Sequence, residues 1–404
     1  MRRAIICLVL VATTAVVSGC TVVDVAQLSQ DRMKGRDNGT PGSALARAYL
    51  VEQLKPIARG LNTSASGDAA YLQTIAGGTN VVAVIPGTDL ADQYVVVGAH
   101  YDHLGDSCAT TSCSQDTIFN GATDNATGVA ATLAIGRALA AQSAKPRRSV
   151  ILAFWDREED GLVGSNHYVA HPLAPLARTV GYVNFDIQGS NVLPSLRNTT
   201  FAVGAESGGA RLQQIVSSAI GSQSLDTAML SAIFGQNRSD YVNFINASVP
   251  TVFFTDATGP CYHTVDDEIE VVDFDKLDAQ IATALAAVRT LASTSNPPTF
   301  AAGTPLATFD DLLAAGQVIE RAYADRARFS AADQQTLTQV LADSRRIIGE
   351  GRAAFGSDDV GVLLGDAARF VEVITHGTCS GFLDASAQAR IAQYRRAVAL
   401  QAAR

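Results

Sequence analysis

Apolar residues in this chain follow two rhythms. Short runs at 80–85, 93–99, 149–155, 180–185, 201–204 and 250–255 have the length of strands. The run 149–155 is apolar almost throughout, as suits a parallel strand buried on both faces. Between the runs, apolar residues recur three and four apart, predicting helices at 42–59, 125–141, near 161–170, at 210–220 and at 274–291. In the first of these Ala44, Leu45, Ala48, Leu50, Val51 and Leu54 form the stripe, and Pro86-Gly87 turns the chain between the first two strands. Strand and helix alternate, which predicts an α/β fold: a mixed, mostly parallel central sheet with helices on both faces. A stretch rich in breakers, with Pro297, Pro298, Gly303 and Pro305, then marks a boundary. Beyond it, 306–404 has no strand pattern, and four helical stretches start near Thr308, Ser330, Asp358 and Asp384. Thr308 and Ser330 have Asp311 and Asp333 three residues on, an approximate capping box. A C-terminal all-helical segment is expected there.

The ends of the chain add a compartment. Residues Met1-Arg2-Arg3 precede an apolar run from Ala4 to Val17, the secretory pattern. The run falls short of the roughly 20 residues that span a bilayer. It closes on Val17-Ser18-Gly19-Cys20, which resembles a bacterial lipobox. That resemblance implies a signal peptide over 1–19, lipidation of Cys20, a polar tether over 20–41, and a protein anchored by acyl chains in the cell envelope, periplasmic or outer. Cys7 leaves with the signal, and Cys108, Cys113, Cys261 and Cys379 remain, an even number in an oxidising compartment. A local Cys108–Cys113 bond and a Cys261–Cys379 bond are the first expectation, although four cysteines allow three pairings.

Composition narrows the class. With 404 residues, two or three domains are expected. Hydrophobic residues at 47% and charged ones at 17% exclude a disordered chain. The net charge of −9, without any basic stripe, argues against nucleic acid as a partner. Nothing in the composition fixes an oligomeric state.

The chemistry sits just after the strands. His100-Tyr101-Asp102 follows one, Glu158-Glu159 another, Asp186 ends a third and His263 comes shortly after a fourth, while Asp124 precedes a helix. In an open α/β sheet the loops at strand carboxyl ends meet in one crevice. Two imidazoles and three carboxylates suit a divalent ion such as Zn²⁺, and five ligands suit a pair of ions that share a carboxylate. A further glutamate is then free to act as general base. Taken singly, His-x-Asp is commonplace, Glu-Glu is usually a solvated turn, and a strand-ending Asp often only caps a helix. Their occurrence together, in order, carries the reading. His103, His167, His171 and His376 have no such context and are expected to be structural or surface groups.

Residues 80–105, GATDNATGVA at 121–130, FWDREEDGLVGS at 154–165, VNFDIQGS at 183–190, RSDYVNF at 238–244 and CYHTVDD at 261–267 are similar to metallopeptidase family 28, the two-zinc aminopeptidase and glutamate carboxypeptidase group. The resemblance spans about residue 40 to residue 293 and implies a phosphorylase/aminopeptidase-like fold, with a zinc peptidase domain over 42–295. It implies two Zn²⁺ per chain: His100 and Asp186 on one, Glu159 and His263 on the other, Asp124 between them. Glu158 would be the general base, Asp102 would orient His100, and Tyr262 would bond the developing oxyanion. Arg157 departs from the small residue usual there and is expected to face solvent. Gln188 and Tyr241 occupy variable positions that could shape specificity. Peptides are the implied substrates, cleaved by an aminopeptidase. A carboxypeptidase, a glutaminyl cyclase on the same scaffold, or an inactive binding protein are the alternatives.

Overall fold

A computed structural model describes residues 14–108 and 115–402. A nine-stranded mixed sheet forms its centre. Its middle consists of four parallel strands: β5 (Arg148–Trp155), β4 (Leu90–His100), β6 (Thr179–Phe185) and β9 (Thr251–Thr255). On one side β3 (Gly78–Ile85) joins β5 antiparallel and carries the short β1 (Arg59–Gly60) and β2 (Leu72–Ile75). On the other, β7 (Thr199–Val203) runs antiparallel to β9 and parallel to β8 (Asp226–Leu230).

Alternation along the strands sorts side chains onto two cores. In β5, Val150, Leu152 and Phe154 join one core while Ile151, Ala153 and Trp155 join the other. Successive strand residues point to opposite faces, so a strand covered on both sides must be apolar throughout. The first core packs under α1 (Thr14–Leu28), α2 (Pro41–Leu54), α3 (Thr127–Ala140), α5 (Gly209–Ile220) and α7 (Phe274–Ser293). The second packs under α4 (Val163–Ala170) and α6 (Tyr241–Asn246), where Trp155 meets Tyr168 and Phe244. Each such side chain, fully buried, contributes about 1.5–3 kcal/mol.

The tail is helical, as its pattern predicts: α8 (Phe309–Ala322), α9 (Ala331–Glu350), α10 (Ser357–Thr375) and α11 (Ala385–Ala402). Thr308 and Asp311 form the capping box of α8, and Ser330 caps α9 through the Asp333 N–H. The segment is not independent of the sheet domain. Val318, Ala322 and Val373 share a core with Val192, Leu193 and Leu196, and Asp311 accepts hydrogen bonds from the Ser231 N–H (2.6 Å) and hydroxyl (2.8 Å) just after β8.

The N-terminal stretch differs from expectation. Residues after Cys20, read as a polar tether, belong to α1, and Val25 and Leu28 are fully buried. Asp24 of this helix pairs with Arg137 of α3 and accepts a 2.6 Å hydrogen bond from Tyr49 of α2. The reason is local: Val22, Val25, Ala26 and Leu28 give the helix an apolar side of its own, which the preceding export-like run masks. Cys20 is 8% exposed and is half of a disulfide, and a sulfur so engaged carries no acylglycerol thioether. None of the described helices is long and apolar enough to cross a membrane.

Cys261 and Cys379 are bonded, joining the loop after β9 to the chain beyond α10 across a sequence separation of 118. Cys108 is also in a disulfide, but its expected partner Cys113 lies outside the described residues.

Candidate metal centre

Because β4, β5, β6 and β9 run parallel, their carboxyl ends open on one edge. His100 ends β4, Glu158 and Glu159 follow β5, Asp186 follows β6, and Tyr262 and His263 lie in the loop after β9. Asp124 sits in the turn Ala122–Ala126 that leads into α3, and its peptide bond to Asn125 is cis. The edge therefore gathers every ligand candidate named from sequence.

The spacing of the donor atoms can be tested against an ion. Donors of one tetrahedral zinc, each about 2.0–2.1 Å from it, lie roughly 3.3–3.4 Å apart. His100 Nε2 is 3.2 Å from Asp124 Oδ1 and 3.3 Å from Asp186 Oδ1. His263 Nε2 is 3.4 Å from Asp124 Oδ2 and 3.1 Å from Glu159 Oε2. Asp124 thus turns one oxygen to each imidazole, and both sets have the spacing a zinc requires. His263 Nε2 is buried without a hydrogen bond, which an ion at this position would satisfy. The residues fit two metal positions that share Asp124, one with His100 and Asp186 and one with Glu159 and His263, and His103 lies within the second group.

Electrostatics follow from burial. Desolvation pushes the Glu158 carboxyl well above its ordinary range, and the neighbouring Asp186 adds to the push against the opposing pull of His100. Burial likewise raises Asp186. At His263 burial favours loss of the proton, but the carboxylates of Asp124 and Glu159 outweigh it and hold the imidazolium up to about 10. Tyr262 stacks on His263 at 3.8 Å between ring centres, and burial among carboxylates raises its hydroxyl.

Supporting contacts refine the expected roles. The Asp102 carboxylate lies 3.6 Å from His100 Nδ1, farther than its own backbone carbonyl at 3.2 Å. It accepts hydrogen bonds from the backbone N–H groups of Glu158 (3.1 Å) and Glu159 (3.3 Å), so it clamps the glutamate pair as well as facing the imidazole. Arg157 turns away from the site toward Asp160 and the Ala76 carbonyl. Gln188 and Tyr241 point inward, bonding the carbonyls of Phe254 and Ala232, so neither faces the cleft.

Sequence reasoning missed three contributors. Asp267 accepts hydrogen bonds from the backbone N–H groups of Thr123 and Asp124, each at 3.0 Å, fixing the turn that carries the shared carboxylate. It closes the CYHTVDD motif, which was the available signal. Buried Arg36 donates to the carbonyls of Leu28, Tyr101, Asn120 and Gly121, tying α1 to both ligand-bearing loops. Its distance in sequence from every motif hid it. His103, expected to be structural or on the surface, is 1% exposed and sits against Glu159 at 2.7 Å.

The cleft above the site is lined by Ile187, Phe234, Arg238, Tyr262 and Val371, besides the carboxylates. Val371 comes from α10, so the C-terminal segment forms part of the wall.

Residues 80–288, half of the chain, match the family described as Peptidase family M28. The chain belongs to that family. An "Aminopeptidase" of Pseudomonas aeruginosa is 30% identical over 213 residues, 46% of this chain and 36% of the relative. The "Probable glutamate carboxypeptidase LAMP1" of Arabidopsis thaliana is 31% identical over 203 residues, 47% of this chain and 27% of the relative. The chain therefore spans well under half of these relatives. Among solved structures, the LapA aminopeptidase of Legionella pneumophila aligns with a TM-score of 0.55 at 17% identity, covering 69% of this chain and 70% of that one. A glutaminyl cyclase of Porphyromonas gingivalis aligns at 0.52 and 18% identity, covering 67% and 97%. At such identities the M28 chain shares the fold with both.

Proposed function

We propose that this M28 chain is an exopeptidase, an aminopeptidase that releases N-terminal residues from peptides and works with two zinc ions. The observation that carries the reading is the division of Asp124, whose two oxygens face separate imidazoles at 3.2 and 3.4 Å. In this reading His100, Asp124 and Asp186 hold one ion, and Asp124, Glu159 and His263 the other. A zinc pair bound there supplies a water acidified toward neutrality and a polarised scissile carbonyl.

The chain's own residues do the rest. Glu158, kept basic and dry by burial, takes the proton of the attacking water and returns it to the leaving amine. Tyr262, its hydroxyl held protonated, donates to the oxyanion that forms at the carbonyl. Asp102 keeps Glu158 and Glu159 in register through their backbone N–H groups. Phe234 and Val371 give the cleft an apolar wall for a side chain.

A specific observation favours a second reading, a carboxypeptidase. Arg238, exposed among the cleft residues, is the one cation among the described lining and could seat a free carboxylate. Three of the four carboxylates in that lining hold the ions in this reading, so the preference for the amino terminus rests on the likeness to aminopeptidases. Aminoacyl-anilides against N-blocked and C-blocked peptides separate the two, since only an aminopeptidase is silenced by blocking the amine. A glutaminyl cyclase works with one zinc per chain, so a measured stoichiometry of two excludes it. Export to the cell envelope is part of the proposal and rests on the N-terminal motif, while the disulfide at Cys20 stands against a lipid anchor there. Mass analysis of the processed N-terminus tests export, since loss of a leader without acyl mass on Cys20 is expected, and acyl mass there would overturn the disulfide reading.

A further inference from the structure

Glu159 offers two oxygens, and they keep different company. Oε2 lies 3.1 Å from His263 Nε2, the spacing of two donors around one ion. Oε1 lies 2.7 Å from His103 Nδ1. That is too close for two ligands of one zinc and ordinary for a charge-assisted hydrogen bond. We propose that His103 is a positioning residue for the second ion: its Nδ1–H holds Glu159 Oε1 and leaves Oε2 aimed at the metal. The inference rests on the two-ion reading above.

The surroundings of the ring suit this work. It is 1% exposed, and its edge meets the His263 ring at 5.7 Å and 69°. Gly121, at φ 54°, makes room for it, since a Cβ there would stand 2.5 Å from His103 Cδ2 and 2.1 Å from the Asp124 carbonyl oxygen. His103 Nε2 is buried without a partner. A proton on that nitrogen would be an unsatisfied donor, whereas a lone pair there is less costly, so the proton belongs on Nδ1. Three of the four residues 100–103 then serve the two ions. His100 ligates one, Asp102 clamps the glutamate backbone, and His103 fixes the glutamate side chain. Hydrogen bonds to a ligating carboxylate typically change metal affinity 10–100-fold.

The test compares His103→Leu, which removes the donor, with His103→Asn, whose amide nitrogen falls near the place of Nδ1. Zinc affinity is read by competition with a chelator on the whole protein, and folding by circular dichroism. In the wild type two ions are expected. His103→Leu should weaken one of them about 10–100-fold and leave the other unchanged, and His103→Asn should recover most of the loss. X-ray absorption on the zinc-loaded protein should count two imidazoles over two ions. Two ions held by His103→Leu at wild-type affinity would overturn this inference alone, as would a folded His103→Asn no tighter than His103→Leu. Three imidazoles would make His103 a ligand and also overturn it. A wild type that binds one ion only would overturn the two-ion reading and this inference with it.

Discussion

Removing the bond between Cys261 and Cys379 should be one of the costliest changes outside the metal ligands. The perturbation is Cys261→Ser with Cys379→Ser, which leaves the other cysteines untouched. The bond closes a loop of 118 residues. In the chain-entropy account a crosslink of that span removes about 16 cal/mol/K from the unfolded chain, or about 5 kcal/mol at 25 °C. Measured values often fall short, so a loss of 2–5 kcal/mol is expected. Urea unfolding of the wild type and the double variant measures it, compared at equal slope. The effect should also reach the site, because Tyr262 and His263 follow Cys261 directly. Without the bond that loop is held by packing and by the hydrogen bonds of Asp267, and zinc affinity should fall together with stability. A loss below about 1 kcal/mol with unchanged zinc binding would refute the argument. It would mean that the packing of the C-terminal helices on the sheet domain keeps the segment in place without the crosslink.

Glu158→Gln should lower kcat by a factor of about 10²–10⁴ with zinc content intact, read by anilide hydrolysis and elemental analysis. Asp124→Ala should lose both ions, since each imidazole pairs with one of its oxygens, and retention of one full equivalent in a metal assay would contradict the shared carboxylate. Zinc affinity should fall as pH falls, because the carboxylates hold the His263 proton up to about 10 and the ion must displace it. The metal-free protein follows the matching sign. A folded pKa above the unfolded value of about 6.5 adds stability below that pH, and the gain is lost as pH rises toward about 10. Melting in excess chelator across that window should show the decline, and zinc should abolish it.

Much of this was legible in the sequence for definite reasons. The central strands bury both faces, so Ser149 to Trp155 reads as one apolar run and Glu158-Glu159 falls at its carboxyl end. The caps at Thr308 and Ser330 placed the starts of α8 and α9 to within a residue. What escaped depends on partners remote in the chain. Strand β8 is half-exposed and gains its order from β7 and α8, so its own pattern is weak. Helix α1 was hidden by the export-like run it overlaps. His103 looked idle beside His100, because only folding brings Glu159 to its ring. Gln188 and Tyr241 pointed to specificity in a linear reading, yet both face inward.

The reach of Arg36 has a practical consequence. Its guanidinium knits Leu28 to Tyr101, Asn120 and Gly121, while Val371 and Cys379 press in from the opposite terminus. A gene fragment trimmed to the matched stretch would discard all three braces and leave the ligand loops without their scaffolding. Anyone shuffling, swapping or crystallising this protein should therefore treat everything from Leu28 to beyond Cys379 as one indivisible part.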